Sequence, residues 1–180
     1  MRYKTHLATT LAITLPVMDS AQALTMSGVA LLAVGAVFPD IDEPNSYIGR
    51  RLKGVSGGVK GLFGHRGLTH SLVGLIAISY LFYIIAQWLS FPVELIQWFS
   101  LGYLAHLIED SFSKKGIAWL QPFSKKSFQS GFKIIYYSTG GLAEQVIFFV
   151  SLVAILYHLT QLRLDDLSFV YLNRLAHNLF

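Results

Sequence analysis

The chain has 180 residues and a formal net charge of +4, and 53% of its residues are hydrophobic while only 13% are charged. Soluble domains carry about 25% charged residues, so this composition is typical of an integral membrane protein. The chain contains no cysteine, which excludes disulfide bonds and thiolate metal sites. Any metal site must therefore use histidine, aspartate, glutamate or asparagine.

Five apolar segments predict membrane helices, in chain order at residues 7–17, 27–38, 72–89, 93–108 and 142–159. A full span needs about 20 residues, and the segments at 72–89 and 142–159 come nearest to that length. The first two are expected to extend into their neighbours or to form a tight helical hairpin. We therefore predict an all-α, polytopic membrane bundle of about five helices over residues 1–160, and an amphipathic tail on the membrane over residues 161–180.

The N-terminus allows a second interpretation. Arg2 and Lys4 precede the first apolar segment and the sequence AQA follows it, which is the pattern of a cleaved signal peptide. Cleavage would remove His6, whereas the apolar segments that follow directly favour a retained first helix. The retained helix is the main prediction.

The basic residues predict how the helices are oriented. In a five-span arrangement, every lysine and arginine except Arg163 and Arg174 lies on one side of the membrane. Cytoplasmic loops carry an excess of Lys and Arg, so this side is predicted to be the cytoplasm. The N-terminus is then expected inside the cell and the C-terminus on the opposite side.

Side chains that can bind metals are concentrated at the cytoplasmic ends of the predicted helices. They are His6, Asp40, Asp42, His65, His70, His106 and Asp110. Four apolar segments thus bring such groups to one level of the bilayer. Ionisable groups at membrane depth are costly and are usually functional. The sequence therefore predicts a metal site that faces the cytoplasm.

Two of the acidic motifs have simple spacings. His106 and Asp110 are four residues apart and share one helix face, so both can reach one ion, although a hydrogen bond at a helix end is the alternative. Nitrogen and carboxylate ligands together suit Zn²⁺ first, with Mn²⁺ or Fe²⁺ as alternatives. Asp40 and Asp42 would face the same way in an extended segment and would bind or bridge cations there. The competing interpretation is turn chemistry between two prolines.

The stretch GHRGLTHSL precedes the third apolar segment. Its histidines, His65 and His70, are five residues apart, and the adjacent glycines favour a turn that lets both rings converge. Thr69 or Ser71 is expected to cap the helix that follows. Arg66 is a candidate to bind a phosphate through its planar guanidinium or to contact lipid headgroups. The alternative is a capped helix start with interfacial histidines.

These motifs together resemble those of the YdjM-type bacterial inner-membrane proteins, which are described as membrane-bound metal-dependent hydrolases. An N-terminal histidine, FPDID, GHRGLTHS and a helix with His-x-x-x-Asp occur in that order within residues 1–115. The family is similar to the helical superfamily of zinc-dependent phospholipase C and single-strand nucleases, which hydrolyse phosphoesters. The resemblance implies a multi-pass protein of the bacterial inner membrane.

The resemblance also implies a role for each candidate residue. The implied metal ligands are His6, His65 or His70, and the pair His106 and Asp110. Asp40 or Asp42 would bridge ions and accept a proton from water, while Arg66 would orient the phosphate. The soluble enzymes carry a further His-x-x-x-Glu helix, but Glu144 has Gly140 four residues before it. One or two ions are therefore expected, and Glu144 is expected to act at a helix N-terminus.

The predicted function is a membrane-bound hydrolase of phosphoesters, such as a phospholipid or a lipid-linked phosphate, that uses a metal-activated water. The expected partners are membrane lipids and the phosphoester substrate. A non-enzymatic metal-binding transporter or sensor is the alternative, although transport sites usually lie near the bilayer midplane. Nucleic acid is not expected, because the topology explains the basic residues and no stacking surface can be read.

Overall fold

The structure is a computed structural model that describes residues 1–51, 54, 56–58, 61 and 67–179, with side chains described as far as residue 162. The α-helices whose bounds are described are α1 (Tyr3–Ser20), α2 (Met26–Val37), α3 (Leu72–Trp88), α4 (Glu94–Ser111) and α5 (Leu142–Leu179). Short 3₁₀ helices, Phe38–Asp42 and Leu68–His70, follow α2 and precede α3. Within the described residues there is no β-strand, which confirms the all-α class.

Polar side chains fix the starts of two helices. Thr25 accepts a hydrogen bond from the backbone of Gly28 (3.1 Å) at the start of α2. Ser71 accepts one from Gly74 (3.1 Å) at the start of α3, which satisfies an otherwise unpaired backbone N–H. The cap predicted at Thr69 or Ser71 is therefore provided by Ser71.

The helices α2 and α4 cross in very close contact because glycines lie at the crossing point. A Cβ atom on Gly35 would lie 2.0 Å from the Phe99 carbonyl oxygen, and one on Gly102 would lie 2.1 Å from that of Leu32. Small residues allow helix backbones to approach in this way. The buried side chains of Phe99, Tyr103, Leu107 and Ile117 form the adjacent apolar core. The crossing brings the C-terminal half of α4 next to the 3₁₀ helix that follows α2.

The carboxylate of Glu144 ties α1 to α5. It is almost fully buried and accepts hydrogen bonds from the backbone of Arg2 (2.6 Å), the hydroxyl of Thr5 (2.9 Å) and the backbone of Gly140. Glu144 therefore binds the N-terminus of α1 and the backbone two residues before α5. The predicted role at a helix N-terminus agrees with these contacts.

The connection from α4 to α5, residues 112–141, folds back on itself. Ile117 and Phe128 exchange backbone hydrogen bonds (3.1 and 2.8 Å), and the N–H of Lys114 donates to the carbonyl of Tyr137 (3.0 Å). These contacts return the chain to the end of α4 and place Tyr137 beside the last turn of that helix.

One described helix segment, Leu142–Leu162, is long and apolar enough to cross a membrane, and Leu72–Trp88 is a shorter apolar helix. Both expose large apolar side chains, among them Ile76, Tyr80, Trp88, Val150 and Leu156. Extended apolar surfaces of this kind mark contact with lipid or protein. The multi-pass arrangement stays a prediction. α5 continues unbroken past residue 160, so the predicted tail is helical, and its position on the membrane stays a prediction.

Candidate metal centre

Five side chains converge where α1 and α3 begin and α2 and α4 end. They are His6 on α1, Asp40 in the first 3₁₀ helix, His70 in the second, and His106 and Asp110 on α4. Two sets of three, His6–His106–Asp110 and Asp40–His70–His106, each place one ligand atom per residue within 4.8 Å of the others. We call these five residues the metal centre.

The spacing of the donor atoms in the metal centre suits a shared ion. The Nε2 atoms of His70 and His106 are 3.4 Å apart, and Asp40 Oδ1 lies 3.6 Å from the first and 3.8 Å from the second. His6 Nε2 lies 3.4 Å from Asp110 Oδ1. Ligand atoms at about 2.0–2.1 Å from one tetrahedral zinc ion are about 3.3 Å apart. Small side-chain adjustments would therefore bring these atoms into coordination distance.

The other ring nitrogens of His6 and His106 are engaged outside the metal centre. His106 Nδ1 donates to the carbonyl of Ala36 (2.8 Å). His6 Nδ1 contacts Glu109 Oε2, and Glu109 Oε1 accepts a hydrogen bond from Thr10 (3.0 Å). Metal-binding histidines are usually held through the opposite nitrogen in this way. His6 Nε2 is buried without a hydrogen-bond partner among the described residues, which a metal ion would satisfy.

Asp42 lies on the far side of the His70 ring from the metal centre. Its Oδ2 lies 3.2 Å from His70 Nδ1 and accepts hydrogen bonds from Thr69 (2.7 Å) and the backbone of Gly67 (3.3 Å). The segment Phe38–Asp42 is a 3₁₀ helix and not the extended segment considered from the sequence. Asp40 and Asp42 therefore meet opposite nitrogens of one ring. This position favours orientation of His70, and direct ligation by Asp42 stays a prediction.

The two carboxylates stabilise positive charge at His70. Burial by itself would lower the pKa of His70. Contacts with Asp40 and Asp42 more than offset this effect, so the pKa rises from 6.5 to about 9. Burial likewise raises the pKa of Asp40, but the imidazoles of His70, His106 and His6 outweigh this and hold it well below its ordinary value. A metal ion would take over the positive charge that a proton on His70 otherwise supplies.

Asp110 is oriented by groups outside the metal centre. Its Oδ1 accepts hydrogen bonds from the Tyr137 hydroxyl (2.8 Å) and from the amine of Met1 (2.9 Å). Its Oδ2 lies 3.8 Å from His70 Nε2. Both oxygens thus face histidines, Oδ1 towards His6 and Oδ2 towards His70, while Tyr137 and Met1 hold Oδ1 from outside the metal centre.

The structure describes the positions of some predicted site residues and not of others. It brings together His6, Asp40, His70, His106 and Asp110, and it places Asp42 behind them. His65 and Arg66 lie outside the described residues, so the roles predicted for them stay predictions.

Sequence reasoning did not select three residues that hold the ligands. Thr10 lies four residues after His6, on the same face of α1, so its spacing was an available signal. Glu109 adjoins Asp110 in the sequence, but no spacing in the sequence assigns it a role. Tyr137 lies far along the chain and carried no signal, because only the fold of residues 112–141 brings it to Asp110.

Comparison with known proteins supports the resemblance that the motifs indicate. Residues 1–164 match the family model described as YdjM inner membrane protein. The chain belongs to this family. The inner membrane protein YdjM of Escherichia coli (strain K12) and that of Shigella flexneri are each 39% identical over 87 residues, which is 48% of this chain and 44% of each relative. The YvsG protein of Bacillus subtilis (strain 168) is 32% identical over 115 residues, 64% of this chain and 67% of YvsG.

Family membership supports a location in the bacterial inner membrane. The chain spans less than half the length of the YdjM relatives it matches. No solved structure matches the chain.

The metal centre offers three imidazole nitrogens and two carboxylates. His106 belongs to both sets of three, but the free nitrogen of one neutral imidazole ligates a single ion. The two sets therefore fit one of two arrangements. Either a single ion takes ligands from both sets, or there are two ions and His106 binds only one of them. The residues present fit a divalent metal ion by chemistry, spacing and burial.

Proposed function

We propose that the protein is a membrane-bound, metal-dependent hydrolase of phosphoesters. The observation that carries the proposal is the convergence of three Nε2 atoms and two carboxylates at one end of the helices, with each Nδ1 engaged elsewhere. This mixed nitrogen and oxygen set suits Zn²⁺ first, with Mn²⁺ or Fe²⁺ as alternatives. One or two ions would be held by His6, His70, His106 and the two carboxylates.

When bound, Zn²⁺ lowers the pKa of a water ligand to about 7 and neutralises charge on phosphoryl oxygens. The side chain of Asp40 is 22% exposed and also lines an open cavity. Asp40 therefore accepts a hydrogen bond from water in this cavity and orients it. Asp42 is fully buried and holds the His70 ring in place. Arg66 is kept as a candidate to orient the phosphate.

The first test is the metal content of the purified protein. We expect about one zinc or manganese ion or more per chain in the wild type and none in His106→Ala or Asp110→Ala, because each variant removes a ligand. His158→Ala is the matched control, since this histidine contacts Asp19 (3.9 Å) away from the metal centre. No metal in any sample, even after reloading with Zn²⁺ and Mn²⁺, would show that the polar cluster is structural and would overturn the proposal.

The second test is hydrolysis by the metal-loaded protein. Detergent-solubilised protein is incubated with mixed phospholipids and with soluble phosphoesters, and the products are identified by mass spectrometry. We expect a metal-dependent product that Asp40→Asn reduces. A metal-loaded protein that forms no product from either group would refute hydrolysis and would favour a metal-binding transporter or sensor.

A further inference from the structure

An open cavity of about 490 Å³ adjoins the metal centre. Asp40 and Asp110 form part of its wall, so the cavity reaches the ligands themselves. Three cationic side chains, those of Arg2, Lys4 and Arg50, line the same cavity, which we call the cationic cavity. The wall also carries acidic side chains, two of which are ligands of the metal centre. Once a bound divalent ion neutralises these two, the cationic groups are in excess, and such an excess concentrates anions. The cavity therefore connects a metal centre with a surface that attracts anions.

In the described part of the chain, none of the three cationic side chains forms a salt bridge. Among the described residues that line the cavity, Glu43 is the one acidic side chain besides the two ligands of the metal centre, and a bound divalent ion would neutralise those ligands. Guanidinium groups bind phosphate through paired hydrogen bonds, so a phosphate group suits the cavity.

Stacked side chains hold the wall of the cationic cavity in shape. The rings of Tyr3 on α1 and Tyr47 are stacked with their centroids 4.3 Å apart. The guanidinium of Arg51 lies over the Tyr47 ring, 3.8 Å from its centroid, in a cation–π contact. This stack fixes the segment that carries Arg50 against the first turn of α1, where Arg2 and Lys4 lie.

A second cavity of about 570 Å³ is lined mostly by apolar side chains and adjoins the metal centre through Glu109. Its wall includes Ile13 on α1, Ile108 on α4 and Val146 on α5. Ile13 and Val146 are 63% and 61% exposed, so this apolar cavity opens on an exposed apolar surface of the kind that contacts lipid or protein. The cationic cavity and the apolar cavity share Met1 in their walls.

We propose that the cationic cavity binds the phosphate group of a lipid and that the apolar cavity receives its hydrocarbon chain. The proposal rests on the proposed function, because it takes the metal centre as the place of reaction, and it names the substrate class as a phosphate ester that carries an acyl chain. Arg2, Lys4 and Arg50 bind the phosphate and orient it towards Asp40 and Asp110.

Calorimetric titration tests the proposal with two probes, dihexanoyl phosphatidic acid and inorganic phosphate, on zinc-loaded and on metal-free protein in detergent. We expect the lipid to bind more tightly than phosphate. Arg50→Gln and Lys4→Gln should weaken both by about tenfold or more, because each removes a hydrogen bond to a charged group. Ile13→Ser should weaken only the lipid. Lys125→Gln, which removes an exposed lysine outside both cavities, is the matched control.

The zinc content of the same samples separates this proposal from the proposed function. Normal zinc together with unchanged phosphate and lipid affinity in Arg50→Gln would overturn the cationic cavity and leave the metal centre intact. Equal affinity for dihexanoyl glycerol, which lacks the phosphate, would also overturn it. If inorganic phosphate binds as tightly as the lipid, the proposal that the bound phosphate group belongs to a lipid is refuted. Wild-type protein that holds no zinc but binds the lipid would refute the hydrolase and support the cavity assignment.

Discussion

We expect the single carboxylates around His70 to contribute differently to metal binding. Asp42 contacts the Nδ1 atom of His70 and is held by Thr69, so it orients the ring without facing the donor atoms. Asp42→Asn keeps the shape of the side chain but removes the charge that accepts the imidazole N–H. We expect zinc binding to weaken by about 10–100-fold, as measured by competition with a chelator of known affinity.

Variants of two further aspartates serve as comparisons for Asp42→Asn. Asp40→Asn should cost more affinity than Asp42→Asn, because Asp40 Oδ1 lies within the metal centre. Asp19→Asn changes a carboxylate that is 40% exposed near His158 and should leave zinc affinity unchanged. If Asp42→Asn binds zinc as the wild type does, the orienting role is wrong.

The raised pKa of His70 predicts a pH dependence of stability. Burial alone would lower this pKa, but Asp40 and Asp42 raise it from 6.5 in the unfolded chain to about 9. The stabilisation of metal-free protein is therefore complete below pH 6.5 and is lost as the pH rises through 9. We expect the metal-free wild type to unfold at a lower temperature at about pH 10 than at about pH 6, and this difference to shrink in His70→Gln. An equal difference in both proteins would contradict the assignment.

Zinc binding should show the opposite trend over the same pH range, because the ion must displace the proton on His70. This contrast between metal-free stability and metal affinity distinguishes titration of the metal centre from general alkaline unfolding.

The glycines at the crossing of α2 and α4 determine whether the metal centre can assemble. Gly102→Ala would place a methyl group 2.1 Å from the Leu32 carbonyl oxygen, so the helices must separate. Overpacking of this kind costs about 1–3 kcal/mol, and separation also moves His106 from the Ala36 carbonyl that holds it. We expect a lower unfolding temperature in detergent together with weaker zinc binding. Gly57→Ala, which meets no atom within 4 Å, should change neither, and a normal zinc affinity in Gly102→Ala would show that the crossing does not position His106.

Helix positions and their ligand-bearing ends were predictable because they depend on local sequence. Apolar runs located the five helices α1 to α5, and the four-residue spacing of His106 and Asp110 placed both on one face of α4. The 3₁₀ conformation of Phe38–Asp42 was not predictable, because it depends on packing against His70 and its neighbours. The contact of Tyr137 with Asp110 likewise depends on how residues 112–141 fold back.

At the scale of the whole molecule, the lengths of α1 and α2 raise a question about the membrane topology. α2 has 12 residues and is about 18 Å long, which is shorter than the hydrocarbon core of about 30 Å. α1 has 18 residues and is about 27 Å long. In the predicted multi-pass arrangement, the hairpin of α1 and α2 means that they either both cross the membrane or both enter it from one side. The side of the C-terminus is the same in both cases, and only the turn at residues 21–25 differs.

Reporter fusions therefore resolve the topology in two steps. A five-span arrangement places the C-terminus in the periplasm, since the basic residues keep the opposite helix ends in the cytoplasm. A C-terminal alkaline phosphatase fusion should then be active, and a C-terminal green fluorescent protein fusion should not fluoresce.

The same arrangement predicts the reactivity of single introduced cysteines. A cysteine at Gln22, in the turn between α1 and α2, should react with an impermeant thiol reagent in intact cells, whereas one at Lys125 should not. The native chain has no cysteine, so each label reports one position. A fluorescent C-terminal fusion would refute an odd number of spans. An unreactive Gln22 position with a periplasmic C-terminus would show instead that α1 and α2 form a re-entrant hairpin, which keeps His6 and Asp40 at the cytoplasmic level.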